Sequence, residues 1–253
     1  MPKSPRFSPN AVRVVDVLTF PGVQLLDVTG PYQVFASAND IVEAAGGARP
    51  YRLRLMAQDG GGVTSTAGVG LATGPLSRHD EALDTLIVPG GSGVEAVAAN
   101  LELIDWLQQR ATVARRVASV CTGAFVLAAA GILDGRRATT HWKWGARLAQ
   151  RFPAIRVEPD PIFLCDGSVW TSAGVTAGID LALALVEADL GRAVALAVAR
   201  YLVVFLKRPG GRRNSAPPLP CKLRRTNSAR SMTGSTTTSA ASFRFRFWPN
   251  RPA

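Results

Sequence analysis

Cys121 stands where a short β-branched run, Arg116-Val-Ala-Ser-Val120, gives way to an Ala/Leu-rich helical stretch closed by Gly131. A thiol at such a junction faces the unpaired N–H groups and the positive dipole end of the new helix, which favours the thiolate. Ser119, Thr122 and Gly123 are small enough to let the backbone turn sharply, as a nucleophile elbow requires. The competing reading is a buried, inert cysteine, because free Cys is among the most buried residue types.

Other residues that can take part in chemistry cluster around the same sheet edge. Asp27 follows Leu25-Leu26 just after the first apolar strand, and either Asp27 or Thr29 would also serve as an ordinary helix N-cap. Thr122 can offer its backbone N–H or its hydroxyl to a developing negative charge, and Gly90-Gly91 can add backbone N–H donors. Gly90-Gly91 reads equally well as a plain tight turn, and Thr122 as a first-turn helix residue. His79 lies in the polar run Ser-Arg-His-Asp and reads as solvated. With two histidines, and with Cys165 and Cys221 far apart in sequence, no metal-ligand spacing is present, and no cofactor is expected.

These residues must be positioned by an alternation of strand-like and helix-like segments. Val12 to Phe20 reads as a strand, followed by a helix from about Thr29 to Ala38. Tyr51 to Ala57 alternates as a strand and leads into a Gly-rich loop. Asp84-Thr-Leu-Ile-Val-Pro-Gly-Gly91 is a short buried strand ending in a glycine turn. Helical patterns cover Val94 to Ala99 and Leu101 to Arg110. After the Cys121 unit, Phe163 to Thr171 carries a hairpin signal with Asp166-Gly167 at the turn. Val175 to Ala188 has the helical period, Gly191 stops it, and a last helix runs from Arg192 to about Leu206. Such alternation predicts one open α/β sheet with helices on both faces, with ligands beyond the carboxyl ends of the strands, where Gly90-Gly91 and Cys121 both fall.

Composition bounds the class. The chain has 253 residues, 47% of them hydrophobic, enough for a substantial core. Three cysteines do not form a disulfide framework and suggest a reducing compartment. The polar, Pro-rich start lacks the apolar segment of a signal peptide, and the longest apolar stretch, Ala193 to Leu206, is interrupted by Arg200 and too short to span a bilayer. A cytoplasmic protein without membrane partners is therefore expected. The net charge of +11 belongs to the end of the chain. Residues 212–253 hold nine Arg or Lys and no acid; removing those nine from the 29 basic residues leaves 20 against 18 acidic ones. That segment is rich in Arg, Ser and Thr, has no amphipathic period and reads as disordered. The expected division is a domain over residues 11–211 and a basic tail over 212–253.

Five ordered motifs, Phe20-Pro-Gly-Val-Gln-Leu-Leu-Asp-Val-Thr-Gly-Pro-Tyr-Gln-Val-Phe35, Ile87-Val-Pro-Gly-Gly-Ser-Gly93, Ser119-Val-Cys-Thr-Gly-Ala124, Ala138-Thr-Thr-His-Trp142 and Thr171-Ser-Ala-Gly-Val-Thr-Ala-Gly-Ile-Asp180, resemble the DJ-1/PfpI superfamily. They are similar in particular to its branch fused to AraC-type transcription regulators, the GlxA-like proteins. The resemblance implies a flavodoxin-like (class I glutamine amidotransferase-like) three-layer sandwich with a mostly parallel sheet, forming homodimers. It also implies an acid at Asp27 against the thiol and a histidine, His141, close to it. A carboxyl beside a thiolate disfavours double ionisation, so one of the pair holds a proton and the site gains a nucleophile with a neighbouring acid/base. His141 would act as a base or stabilise a thiolate, or be a structural histidine beside Trp142.

Regulators of that branch continue into helix-turn-helix units just after the position of Lys207-Arg-Pro-Gly-Gly211, where this chain enters its basic segment instead. A frameshift near codon 211 would explain the change, and it would leave no specific DNA binding. Two functions follow: a domain that senses a small-molecule ligand without turning it over, or an enzyme similar to isonitrile hydratase, with Cys121 as nucleophile and Asp27 moving protons. A glyoxalase-like role is disfavoured because those relatives carry Glu where Asp27 stands.

Overall fold

A computed structural model describes residues 12–205. The expected boundary at 211, the basic segment 212–253 and Cys221 lie outside the described residues.

The first strand, β1 (Arg13–Leu18), leads into helix α1 (Leu25–Ala44), and β2 (Tyr51–Met56) follows. The stretch read as a Gly-rich loop is a small antiparallel hairpin of β3 (Gly61–Thr64) and β4 (Gly70–Thr73). Next come β5 (Thr85–Val88), α2 (Val94–Ala99), α3 (Leu101–Val113), β6 (Arg116–Val120) and α4 (Gly123–Ala129). A two-residue strand pair, β7 (Arg137–Ala138) and β8 (Arg156–Val157), brackets α5 (Gly145–Arg151). The described chain ends with β9 (Phe163–Asp166), β10 (Val169–Ser172), α6 (Ala177–Leu190) and α7 (Arg192–Tyr201).

The main sheet runs β2-β1-β5-β6-β10-β9, parallel throughout except for the antiparallel edge strand β9. Its inner strands are continuously buried, as strands covered on both faces must be: every residue of β5, β6 and β10 is inaccessible. Helices α1, α6 and α7 pack together on one face, while α2, α3 and α4 associate on the other. This is the open α/β sheet that the alternating segments imply and the flavodoxin-like sandwich that the family resemblance implies, with its strand order reversing between β1 and β5.

Three local departures have physical causes. Helix α1 begins at Leu25, four residues before the expected start. Gly30 and Pro31 suppress helical signal in the sequence, but Gly30 is buried where an added Cβ would come 3.0 Å from Ile179 of α6, and Pro31 is buried too. The helix therefore survives a proline for the sake of close packing against α6. The β9–β10 turn is Gly167-Ser168, one residue later than expected, because Asp166 pairs with Val169 and its carboxylate accepts the Arg137 N–H at 2.8 Å. Helix α7 ends at Tyr201 rather than near residue 206, because the backbone leaves the helical region at Val203, whose φ is 55°.

The amino ends of the strands are tied by charge. The Asp189 carboxylate accepts hydrogen bonds from Arg115 at 2.6 Å, from Arg116 at 2.6 Å and from the Tyr51 hydroxyl at 3.0 Å. Burial alone would raise its pKa, but the guanidinium groups of Arg116 and Arg115 outweigh that and hold it below the ordinary value. The carboxyl ends of the strands are left for chemistry.

Among the described residues no helix is long and apolar enough to cross a membrane. Cys121 is the free cysteine there, while Cys165 is disulfide-bonded, so the cysteine count loses its force as an argument for a reducing compartment.

Candidate functional site

Cys121 opens the two-residue turn between β6 and α4, and its φ of 57° lies in the left-handed region that non-glycine residues rarely adopt. The strained turn is anchored on both sides: the Cys121 N–H donates to the Ser172 carbonyl at 3.1 Å, and the Thr140 hydroxyl donates to the Cys121 carbonyl at 2.8 Å. Small neighbours are required. A Cβ on Gly123 would lie 2.1 Å from the Val88 carbonyl oxygen, and one on Gly174 would lie 2.2 Å from the Cys121 Cβ. The backbone at Cys121 thus turns sharply from strand to helix, with glycines where side chains would collide.

Asp27 lies in the first turn of α1 with its side chain wholly buried, so the ordinary N-cap reading fails: Gln24 occupies the cap position and no side chain caps the helix. One Asp27 oxygen, Oδ2, accepts the Gly90 N–H at 3.1 Å, and the other, Oδ1, accepts the Val175 N–H at 2.7 Å. The Cys121 thiol also hydrogen-bonds to this carboxylate. Residues from the ends of β5, β6 and β10 thus converge on an acid from the β1–α1 connection.

The ionisation of the pair differs from the expectation of a helix-stabilised thiolate. Burial, and then the negative charge of Asp27, push the Cys121 thiol up to about 12, against the smaller stabilising pull of the Thr122 N–H and hydroxyl. Helix α4 is a buried two-turn segment of seven residues, and its dipole does not overcome these effects. Burial also raises Asp27, although hydrogen bonds from Val175, Gly90 and Cys121 pull the other way. Burial thus biases both members of the pair toward their protonated forms. Cys121 and Thr122 each retain 8% exposure, so this sulfur lies just beneath the surface.

The supporting residues take specific places. Thr122 directs its N–H and hydroxyl at the Cys121 sulfur, and its hydroxyl oxygen accepts the Gly91 N–H at 3.1 Å. The expectation that Gly90 and Gly91 supply free N–H donors to a ligand is corrected: the first holds Asp27 and the second holds Thr122. Both glycines are nonetheless sterically required, since a Cβ on Gly90 would lie 2.6 Å from the Thr122 hydroxyl oxygen and one on Gly91 2.2 Å from the Gly22 carbonyl oxygen. His141 accepts the Lys143 N–H on Nδ1 at 3.3 Å, and its ring lies 5.4 Å from that of Trp142. Burial and the charge of Lys143 lower its pKa. The hydrogen bond from this segment to the elbow comes from Thr140, one residue earlier.

Thr140, Gly174 and Val175 were not singled out from the sequence. Each sits inside a motif that carried the family resemblance, but two of them act through backbone atoms or through the lack of a side chain. Among the described residues no group of three or more His, Cys, Asp or Glu side chains is placed to hold a metal.

The chain is 40% identical over 177 residues to the isonitrile hydratase of Pseudomonas putida, covering 70% of this chain and 72% of that protein. It is 31% identical over 160 residues to the HTH-type transcriptional regulator GlxA of Rhizobium meliloti, covering 62% of this chain but only 49% of the regulator. A THiJ/PfpI family protein from Pseudomonas syringae superposes with a TM-score of 0.66 at 27% identity, covering 87% of this chain and 84% of that one. Residues 13–188, which supply the thiol, the acid and every backbone donor between them, match the DJ-1/PfpI family, and the chain belongs to it.

Proposed function

We propose that this chain is a cysteine-dependent hydratase acting on a small molecule with an electrophilic terminal carbon, of the isonitrile class. The observation that carries this reading is the placement of Cys121, on a left-handed strand-to-helix turn, beside the buried Asp27 carboxyl that Gly90 and Val175 hold by both oxygens. A thiol held near pKa 12 is a poor free nucleophile, but one whose proton already lies on a hydrogen bond to a carboxylate can release it as the new bond forms. Isonitriles suit that device because their carbon accepts both the nucleophile and a proton.

In the first step the sulfur bonds to the isonitrile carbon, the thiol proton passes to Asp27, and Asp27 delivers it to the same carbon, giving a thioimidate. Asp27 then takes a proton from water as the water oxygen attacks that carbon. Protonation of the nitrogen and cleavage of the carbon–sulfur bond release an N-substituted formamide and restore the thiol. Thr122 steadies the sulfur whenever it carries negative charge, through its N–H and hydroxyl. The higher identity to isonitrile hydratase, and the greater share of that protein covered, favour this reading over the sensor reading.

The second reading is a ligand-sensing domain of the GlxA type, in which a metabolite binds beside Cys121 and Asp27 without being turned over. The match to GlxA supports it, although the chain spans about half of that regulator's length. Incubating the purified chain with alkyl isonitriles beside a Cys121→Ala control separates the two. Thiol-dependent formamide production supports the hydratase. Its absence, together with a rise in melting temperature on adding a metabolite, supports the sensor.

A further inference from the structure

We infer that Val175 is a positioning residue: the left-handed turn Gly174-Val175 holds its backbone N–H on Asp27, and so fixes that carboxylate as the acceptor of the Cys121 proton. The inference rests on the reading of Cys121 and Asp27 as the working pair.

Val175 is β-branched, yet its φ is 52°, a conformation in which a branched Cβ is strained. The preceding Gly174 has φ 88° and lies against the thiol side chain, where any Cβ would come 2.8 Å from the sulfur. Strain of this kind persists only where surrounding contacts enforce it. Here the turn delivers a hydrogen bond of 2.7 Å to Asp27 Oδ1, shorter than the 3.1 Å bond from Gly90 to Oδ2. The two donors come from the ends of different strands, β10 and β5, and each takes one carboxylate oxygen. The orientation of the carboxylate plane is thereby set, leaving a remaining lone pair for the thiol. Apolar packing does not account for the position, because the Val175 side chain is only partly buried and lies outside the hydrophobic core. Helix α6 lacks a side-chain cap, and its expected start at Val175 is displaced to Ala177 by this turn.

Replacing Val175 with α-hydroxyisovaleric acid deletes the N–H, keeps the side chain and leaves an ester in the full-length chain. Val175→Gly keeps the N–H and relieves the strain. Infrared titration of the Asp27 carboxyl, identified as the band missing from Asp27→Asn, reads the result without substrate or turnover. The ester is expected to raise the Asp27 midpoint by about one pH unit or more, and Val175→Gly to leave it nearly unchanged. An ester with native circular dichroism and an unmoved midpoint overturns the proposal, as does a glycine variant that shifts as far as the ester. Should the ester fail to fold, the unmodified chain still decides. The Val175 amide proton must titrate with the Asp27 midpoint and lose that titration in Asp27→Asn, and an amide that does not follow Asp27 overturns the proposal. Neither measurement involves formamide, so loss of the hydratase reading and loss of this one are distinguishable.

Discussion

Cys121 and Asp27 meet from opposite sides of the strand-order reversal, and burial there raises the pKa of both rather than favouring the thiolate a helix dipole would stabilise. Proton position in this pair governs what the site can do, and it can be measured directly.

Cys121→Ala is expected to abolish isonitrile hydration, by at least about a thousandfold, because Cys121 is the free cysteine among the described residues. Asp27→Asn is expected to lower it by about 10²–10⁴-fold, the range of a lost general acid/base, while leaving the thiol in place. Formamide quantified by chromatography checks both, and a Cys121→Ala variant with wild-type turnover contradicts the proposed mechanism.

The thiol itself should titrate differently in Asp27→Asn. The negative charge of Asp27 is one of the causes that hold Cys121 near 12, and burial, the larger cause, remains after the substitution. The midpoint for alkylation by iodoacetamide should therefore fall below 12 yet stay above the ordinary value of 9.0. A midpoint that does not move would mean that the carboxylate is not beside the sulfur.

Gly174→Ala should destabilise the domain and damage the site together. The new Cβ would sit 2.2 Å from the Cys121 Cβ, in a backbone conformation unsuited to alanine. A cost on the order of 3 kcal/mol is expected, or a melting temperature lower by roughly 10 °C. A thermal melt within a degree or two of wild type would show that the elbow relaxes freely.

At the opposite edge, stability should depend on acid pH through Asp189. Its folded-state pKa is below the ordinary 3.8, so its contribution is fully present above that value and is lost as pH falls through the folded pKa. Asp189→Asn, which leaves the Arg115 and Arg116 guanidinium groups short of a buried partner, should cost about 3 kcal/mol at pH 7. The deficit should shrink in urea melts below about pH 4 as the wild type loses the same charge. A deficit independent of pH would assign the effect to packing.

The parts of this fold that could be read from sequence are those whose signal is local. The strand–Cys–helix order around Cys121, the buried run before Gly90 and the helical period after Val175 all lie within single short windows, and all three elements are present. Asp27 could be placed at the right sheet edge by its distance from the first strand, but not chosen over a capping role. That choice depends on Gly90 and Val175, which the chain brings in from far away. The local signals around Cys121, a helix dipole and small neighbours, favour the thiolate, whereas burial, the largest influence on this thiol, has no signature in a short window. Strands β7 and β8, two residues each, are too short to carry any periodicity. Val175 left no signal because its contribution is a main-chain N–H that every residue but proline possesses.

The thiol's displacement from 9.0 to about 12 has a consequence for the life of the chain outside catalysis. A nascent or denatured polypeptide exposes Cys121 as an ordinary sulfhydryl, open to oxidants and alkylating metabolites at physiological pH. Completion of the fold through β10 and the start of α6 silences that background chemistry and reserves the sulfur for molecules able to enter beside Asp27.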